Sequence, residues 1–270
     1  MLHTRPLRYA AAFGVVLLNL ALGANAHAQA TTASDTAANV APADADSSSK
    51  LSLGLGAGIA RSPYRDYGNK TSALPLLIYD SKYFHFAGTG ADFKLGSYQQ
   101  FDFTLRAKYS NDGYQSSDAA ILNDMHERKD AIWLGGTAVW HAPWAKLTAE
   151  WLKDASGYSQ GQTFKLNAER GFRLGRVLLT PHLGVAWYDK NDVDYYYGVR
   201  QDEATASRSA YTGKSTINTS IGLRTGLRLT TTQSLFLDAT ATHLGSGITD
   251  SPLVDHATVP SLRMGYLYQF

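Results

Sequence analysis

Cysteine is absent from this 270-residue chain, so no disulfide framework holds it together. Long apolar runs are nearly absent too. Only Ala10–Gly23 (AAAFGVVLLNLALG) qualifies, and its fourteen residues fall short of the roughly 20 that a membrane-spanning helix needs. No other segment is apolar enough to span as a helix. A surplus of either charge is also missing. Lys and Arg number 25 against 23 Asp and Glu, and two of the basic residues, Arg5 and Arg8, lie in the first 28 positions, leaving 23 of each sign. That balance removes any whole-protein attraction to nucleic acid or to an anionic membrane surface.

What is present at the start has the order of a secretory signal. Arg5 and Arg8 supply the positive region, Ala10–Gly23 the apolar region, and Ala24-Asn-Ala26-His-Ala28 small residues spaced for cleavage after Ala28. Residues 1–28 are therefore expected to be a signal peptide. Residues 29–49 are rich in Ala, Ser, Asp and Thr and poor in apolar side chains, which predicts a flexible periplasmic leader. From residue 50 to 270 one continuous series of alternating segments follows, with no internal linker.

The alternation has a period of two. In Phe101–Tyr109, Phe101, Phe103, Leu105, Ala107 and Tyr109 oppose Asp102, Thr104, Arg106 and Lys108. The closing segment places Leu262, Met264, Tyr266, Tyr268 and Phe270 on one face and Ser261, Arg263, Gly265 and Gln269 on the other, with Leu267 as an apolar intruder. Many segments run to ten or more residues and carry charges mid-strand, including Glu150, Glu169, Arg224 and Asp238. A soluble sandwich also alternates, but length, mid-strand charge, signal peptide and terminal Phe together predict a transmembrane antiparallel up-and-down β-barrel in the outer membrane. Gly265, Tyr268 and Phe270 fit the C-terminal pattern by which such barrels are recognised for assembly.

Eleven segments are evident, and an even number is required if both ends lie in the periplasm. Counting Val193–Val199 as a strand gives twelve and turns residues 110–130 to the periplasm. The alternative drops Leu51–Arg61 from the wall and leaves ten.

Chemistry is sparse. Gly54-Leu-Gly56-Ala-Gly58 lacks the third glycine and the helix of a dinucleotide site, and Gly213-Lys214-Ser215 is preceded by Arg208 where a phosphate loop needs glycine. The six histidines beyond residue 28 show no zinc spacing. His182, Ser220 and Asp238 all fall on polar faces, but nothing in the sequence brings them within reach of one another. No catalytic, cofactor or metal site is expected. The inward charges Arg106, Glu150, Glu169, Arg224, Asp238 and Arg263 should pair in a packed interior, because an unpaired charge there costs several kcal/mol. A narrow polar pore is the competing reading.

Several stretches together resemble the MipA/OmpV family, the MltA-interacting outer-membrane proteins. They are Leu53–Gly58 with Pro63-Tyr64 and Tyr67-Gly68, Leu74-Pro75 with Ile78-Tyr79, Leu122–Arg128, Tyr196–Val199 with Glu203 and Tyr211, Asp250–Val254, and Tyr266–Phe270. Within these, Tyr197, Gly198, Glu203, Tyr211, Ser251 and Pro252 stand out as family-motif residues. The resemblance implies a non-enzymatic outer-membrane scaffold for peptidoglycan-synthesising and peptidoglycan-hydrolysing enzymes, with a lytic transglycosylase and a penicillin-binding synthase as partners. A porin-like passage for small solutes or antibiotics is the alternative. Residues 117–128 suit a short helix capped by Ser117 or Asp118. Leu122, Met125, His126 and Arg128 would then be a docking surface if they face the periplasm, or part of a loop packed into the barrel mouth.

Overall fold

The computed structural model describes residues 49–270. The expected signal peptide, and all of the expected leader except Ser49, lie outside the described residues. Twelve antiparallel strands form a closed barrel. They are β1 (Lys50–Arg61), β2 (Asn69–Asp80), β3 (Phe84–Ala87), β4 (Gly90–Tyr98), β5 (Phe101–Ser110), β6 (Ala131–His141), β7 (Lys146–Asp154), β8 (Gln162–Glu169, resuming at Phe172–Leu174), β9 (Val177–Tyr188), β10 (Thr216–Arg228), β11 (Gln233–His243) and β12 (Thr258–Gln269). The last strand pairs with the first, with Gly56 opposite Gly265 and Ser52 opposite Gln269. No helix among the described residues is long and apolar enough to cross a membrane.

The two-residue period decides which side each residue sees. On β1, Leu53, Leu55 and Ile59 point outward, with Leu55 72% exposed, while Ser52 and the glycines at 54, 56 and 58 point inward. In water such an apolar exterior would be a liability, but in a bilayer it is the solvated surface. Aromatic rings gather at the barrel end that carries the termini. Phe101 stacks on Trp140 at 5.9 Å, and Trp140 meets Trp144 edge-on at 6.1 Å. This is an interfacial girdle of the kind that marks the membrane boundary.

The connections divide by length. Those at the end holding the termini are short, at 81–83, 99–100, 142–145, 175–176 and 229–232. The long ones, 111–130, 189–215 and 244–257, lie at the opposite end together with 62–68 and 155–161. Short turns face the periplasm and long loops the outside in barrels of this class.

Twelve strands were expected, but the twelfth comes from a different place. Residues 83–95, which alternate in sequence like a single strand, form two. The chain reverses tightly at Gly88, where φ is +57°, and makes the hairpin β3–β4. Residues 193–199 are not a strand, because Val193–Tyr197 belong to helix α1 (Lys190–Tyr197). Asp189 is its N-cap, with the side chain accepting from Asp192 N at 2.9 Å. The extra reversal before β5 inverts the sidedness of everything up to α1. Residues 110–130 therefore sit at the end opposite the termini, not with them. The ten-strand alternative fails because β1 is paired along both edges.

A chain with no native cysteine makes this easy to check. A Cys introduced at Ser117 should react with a membrane-impermeant maleimide on intact cells. One at Thr231 should react only after the outer membrane is permeabilised.

Candidate functional site: a loop lid above a charged chamber

The long loops fold inward over the barrel. Tyr64, Tyr114, Leu122, Val193, Tyr197 and Leu253 belong to one buried cluster. Within it Tyr64 stacks on Tyr197 at 5.4 Å and meets Tyr114 edge-on at 5.3 Å. The Tyr64 hydroxyl donates to Tyr196 O at 3.0 Å. Burial pushes that phenol well above its ordinary range, so it stays neutral and able to donate.

An ion pair locks the two largest loops together. Arg128 Nη2 lies 2.9 Å from Glu203 Oε2, and the two side chains are 1% and 0% exposed. Such a pair is tolerated only when its remaining donors and acceptors are filled. Here they are: Arg128 also donates to Tyr195 O and His126 O, both at 2.7 Å. Glu203 also accepts from Arg200 N at 2.9 Å and His126 N at 3.0 Å. Burial alone would raise the Glu203 carboxyl, but Arg128 and those backbone N–H groups outweigh it and hold it below the usual carboxylate range. Arg208 completes the clasp, donating to Asn123 O at 2.9 Å, to Glu203 O at 2.7 Å and to Ile121 O. Sequence reasoning met Arg208 only as a misfit in a phosphate-loop look-alike.

The expected helix at 117–128 shrinks to a single 3-10 turn, Ala120–Leu122, preceded by Ala119 rather than capped by Ser117 or Asp118. Asn123 leaves helical geometry and Asp124 takes φ +63°, which ends the turn and swings the chain inward. Leu122, Met125 and Arg128 are consequently buried in the mouth. His126 alone is exposed, 2.9 Å from Asp202. These four residues do not form a periplasmic docking face, because they lie at the other end and three of them are covered.

The family-motif residues meet in this lid. Ser251 Oγ donates to Tyr197 O at 2.6 Å, and the Tyr211 hydroxyl donates to Gly247 O at 2.9 Å. A Cβ on Gly198 would stand 2.2 Å from Asp194 O, so only glycine fits there. Pro252 follows Ser251 and is half-buried.

Below the lid, the lumen carries a belt of alternating charge. Arg106 bridges Asp92 at 2.7 Å and Glu150 at 2.6 Å. Glu150 stands opposite Lys165, and Glu169 binds Lys146 and, at 3.3 Å, Arg224. Asp238 lies between Arg224, 3.2 Å away, and its register partner Arg263. Arg173 is inward-facing but exposed at the lower rim, and Asp102 pairs there with His141 at 2.7 Å. His182 Nε2 faces Asp238 Oδ2 at 3.2 Å, and no hydrogen bond joins it to Ser220 among the described residues. Among the described contacts His182, Ser220 and Asp238 are not linked in the order a nucleophilic triad needs.

The belt surrounds a cavity of about 390 Å³ roofed by Tyr64, Tyr196 and Ile248. Toward the termini, Leu76, Ile78, Ala87, Phe236 and Leu267 pack into a second apolar cluster inside the barrel. Leu267, the apolar intruder of the last strand, is thereby accounted for. Gly265 lies so close beneath the Phe236 ring that a Cβ would be 2.5 Å from it. Tyr268 and Phe270 point outward, their rings 4.9 Å apart.

Asp192 projects from α1 over the cavity and is buried. Burial pushes its carboxyl well above the usual range, Asp112, Asp189 and Asp154 add to this, and Lys165 opposes it.

Two outcomes follow for the lid, both read as the thiol-labelling rate of a buried Ala119→Cys relative to an exposed Ser117→Cys. Arg128→Met strands the Glu203 charge at a cost of about 3–5 kcal/mol and should accelerate labelling sharply, with Arg128→Met/Glu203→Gln less affected. The Asp192 carboxyl is raised in the folded lid, so its contribution is whole at low pH and is lost as pH rises from about 4 toward the raised value. Labelling should therefore quicken with rising pH, and Asp192→Asn should remove that component.

The family model described as MltA-interacting protein MipA matches residues 53–270. An outer membrane protein of Escherichia coli, YiaT, is 30% identical over 216 residues, covering 77% of this chain and 86% of its own. The MltA-interacting protein of Escherichia coli is 26% identical over 216 residues, covering 79% and 87%. Among solved structures the NanC porin is matched at TM-score 0.42 and 9% identity, over 80% of this chain and 98% of its own. With most of the barrel and the whole lid inside the matched residues, the chain belongs to the MltA-interacting protein (MipA) family of outer-membrane β-barrels.

Proposed function

We propose that this protein is a non-enzymatic outer-membrane anchor that organises peptidoglycan-synthesising and peptidoglycan-hydrolysing enzymes from its periplasmic end. The observation that carries the reading is the tyrosine-rich cluster of loop residues packed over the outer mouth. A lumen covered by a packed tyrosine-rich lid and crossed by paired charges is suited to holding a fixed shape in the membrane rather than to passing solutes. A relative's name, MltA-interacting protein, supports a lytic transglycosylase as one partner, and a penicillin-binding synthase is the second. With the 122–128 segment facing outward, the partners' contact surface is the rim of short turns, where Lys82, Tyr83 and Trp144 are exposed. His182 and Asp238 belong to the charge belt in this reading and carry no chemistry.

A pull-down from envelopes solubilised in mild detergent should recover a murein hydrolase or synthase. Trp144→Ala together with Lys82→Glu should weaken that recovery without changing barrel assembly. Recovery of neither enzyme class with the native protein would overturn the proposal. The polar cavity beneath the lid favours one rival, a gated passage. Stable conductance steps from purified protein in a planar bilayer would support that rival, and electrical silence is the expected result.

A further inference from the structure

The chain as a whole is balanced in charge, but its periplasmic rim is not. Arg170, Arg173, Arg176 and Arg228 gather where β8, β9 and β10 meet at that end. Arg173 stands opposite Leu178 of β9, and Arg228 N donates to Arg176 O at 2.9 Å. No Asp or Glu occurs between Arg170 and Tyr188, or between Thr216 and Leu237. Glu169, which precedes the group, is held by Lys146 and Arg224. None of the four arginines forms an ion pair among the described residues. Elsewhere on this rim charges are answered, as where Lys94 meets Asp80 at 2.8 Å.

The four divide by the side they face. Arg173 is in step with the inward Leu178, and Arg228 continues the inward set of Arg224 and Gly226. Arg170 belongs to the outer surface. Its N–H donates to Pro181 O at 3.3 Å, and Pro181 lies opposite the outward Leu223. The Arg170 guanidinium sits over the ring of Phe172, 5.3 Å from its centre. Phe172 is itself outward-facing and exposed. Arg176 occupies the turn that Gly175 opens with φ +62°, just below the exposed Leu174. One of its nitrogens approaches Leu229 O at 3.5 Å, which leaves the other donors of the fork for a ligand.

Arg170 is an exception on an otherwise apolar surface. The neighbouring outward positions are Phe164, Leu166 and Ala168 on β8, and Leu179, Pro181, Leu183, Val185 and Trp187 on β9. A cation on the lipid side of a barrel is costly toward the midplane and tolerated near the interface, where its long stem can carry the charge out to the head groups. Stacking on Phe172 leaves the in-plane N–H donors of the guanidinium available. Two such forks beside an apolar floor suit a phosphate that carries acyl chains.

We propose that Arg170 and Arg176 form a binding site for an anionic phospholipid of the inner leaflet. Its phosphodiester accepts from both guanidiniums, and its acyl chains lie against Phe172 and Leu174. Arg173 and Arg228, turned toward the lumen mouth, add to a positive potential that favours a net-negative head group over a zwitterionic one.

The test uses the full barrel in phosphatidylcholine nanodiscs with two probes that carry the same diazirine near the head-group end of an acyl chain, one a phosphatidylglycerol and the other a phosphatidylcholine. The phosphatidylglycerol probe should label residues 168–181 well above the phosphatidylcholine probe, and well above the outward faces of β4–β6. Arg170→Gln/Arg176→Gln should lower that labelling about tenfold, as loss of a charge-assisted hydrogen bond implies. Labelling of β4–β6 should stay unchanged, which also reports an intact barrel. Equal labelling of residues 168–181 by the two probes, or native-level labelling in Arg170→Gln/Arg176→Gln, would overturn the proposal. A loss seen only in Arg173→Gln/Arg228→Gln would overturn it too, in favour of an anion held at the lumen mouth.

Discussion

A backbone N–H or C=O facing hydrocarbon without a partner costs several kcal/mol. That constraint dictates why this chain closes on itself. Gly56 meets Gly265 across the seam between first and last strands, and the outward half of each strand's alternation can then face lipid. Once the sheet is closed, the other half of the alternation becomes an interior too narrow to be left unstructured.

Closure explains the interior chemistry as well. Charges of both signs on neighbouring strands must neutralise one another, and the register places them to do so, from Asp92 and Arg106 round to Asp238 and Arg263. At the outer end the same rule is met differently. The Arg128–Glu203 pair is removed from water almost completely, yet each group is saturated by backbone atoms of its own and of the opposing loop. Four loops thereby become one lid. The tyrosines packed around the pair keep neutral hydroxyls that bond to backbone carbonyls.

The barrel was legible in the sequence because its signal is repeated on every strand. Leu262 to Phe270 shows the rule, and Leu267 shows its exception for a residue facing an apolar patch of lumen. The strand count was legible but its origin was not. Gly88-Thr89-Gly90 interrupts a stretch that otherwise alternates, and the reversal depends on one left-handed glycine. The run Val193–Val199 has the β-branched and aromatic composition of a strand, and tertiary packing makes most of it helix. Asp189 was the local cue to the contrary. Leu122, Met125 and Arg128 were recognised as a unit, but whether an apolar segment meets a partner or its own barrel depends on loops 60 to 80 residues away. No short motif carries that information.

The packed lid over the outer mouth is the central claim, and hydrogen exchange in nanodiscs tests it most directly. Tyr114 and Arg128 exchange backbone hydrogen bonds with each other, as do Val199 and Tyr211, at 2.8–2.9 Å. If the lid is a packed part of the native barrel, those four amides should exchange about as slowly as mid-strand amides of β10. Exchange within seconds, as for a solvent-exposed loop, would contradict it.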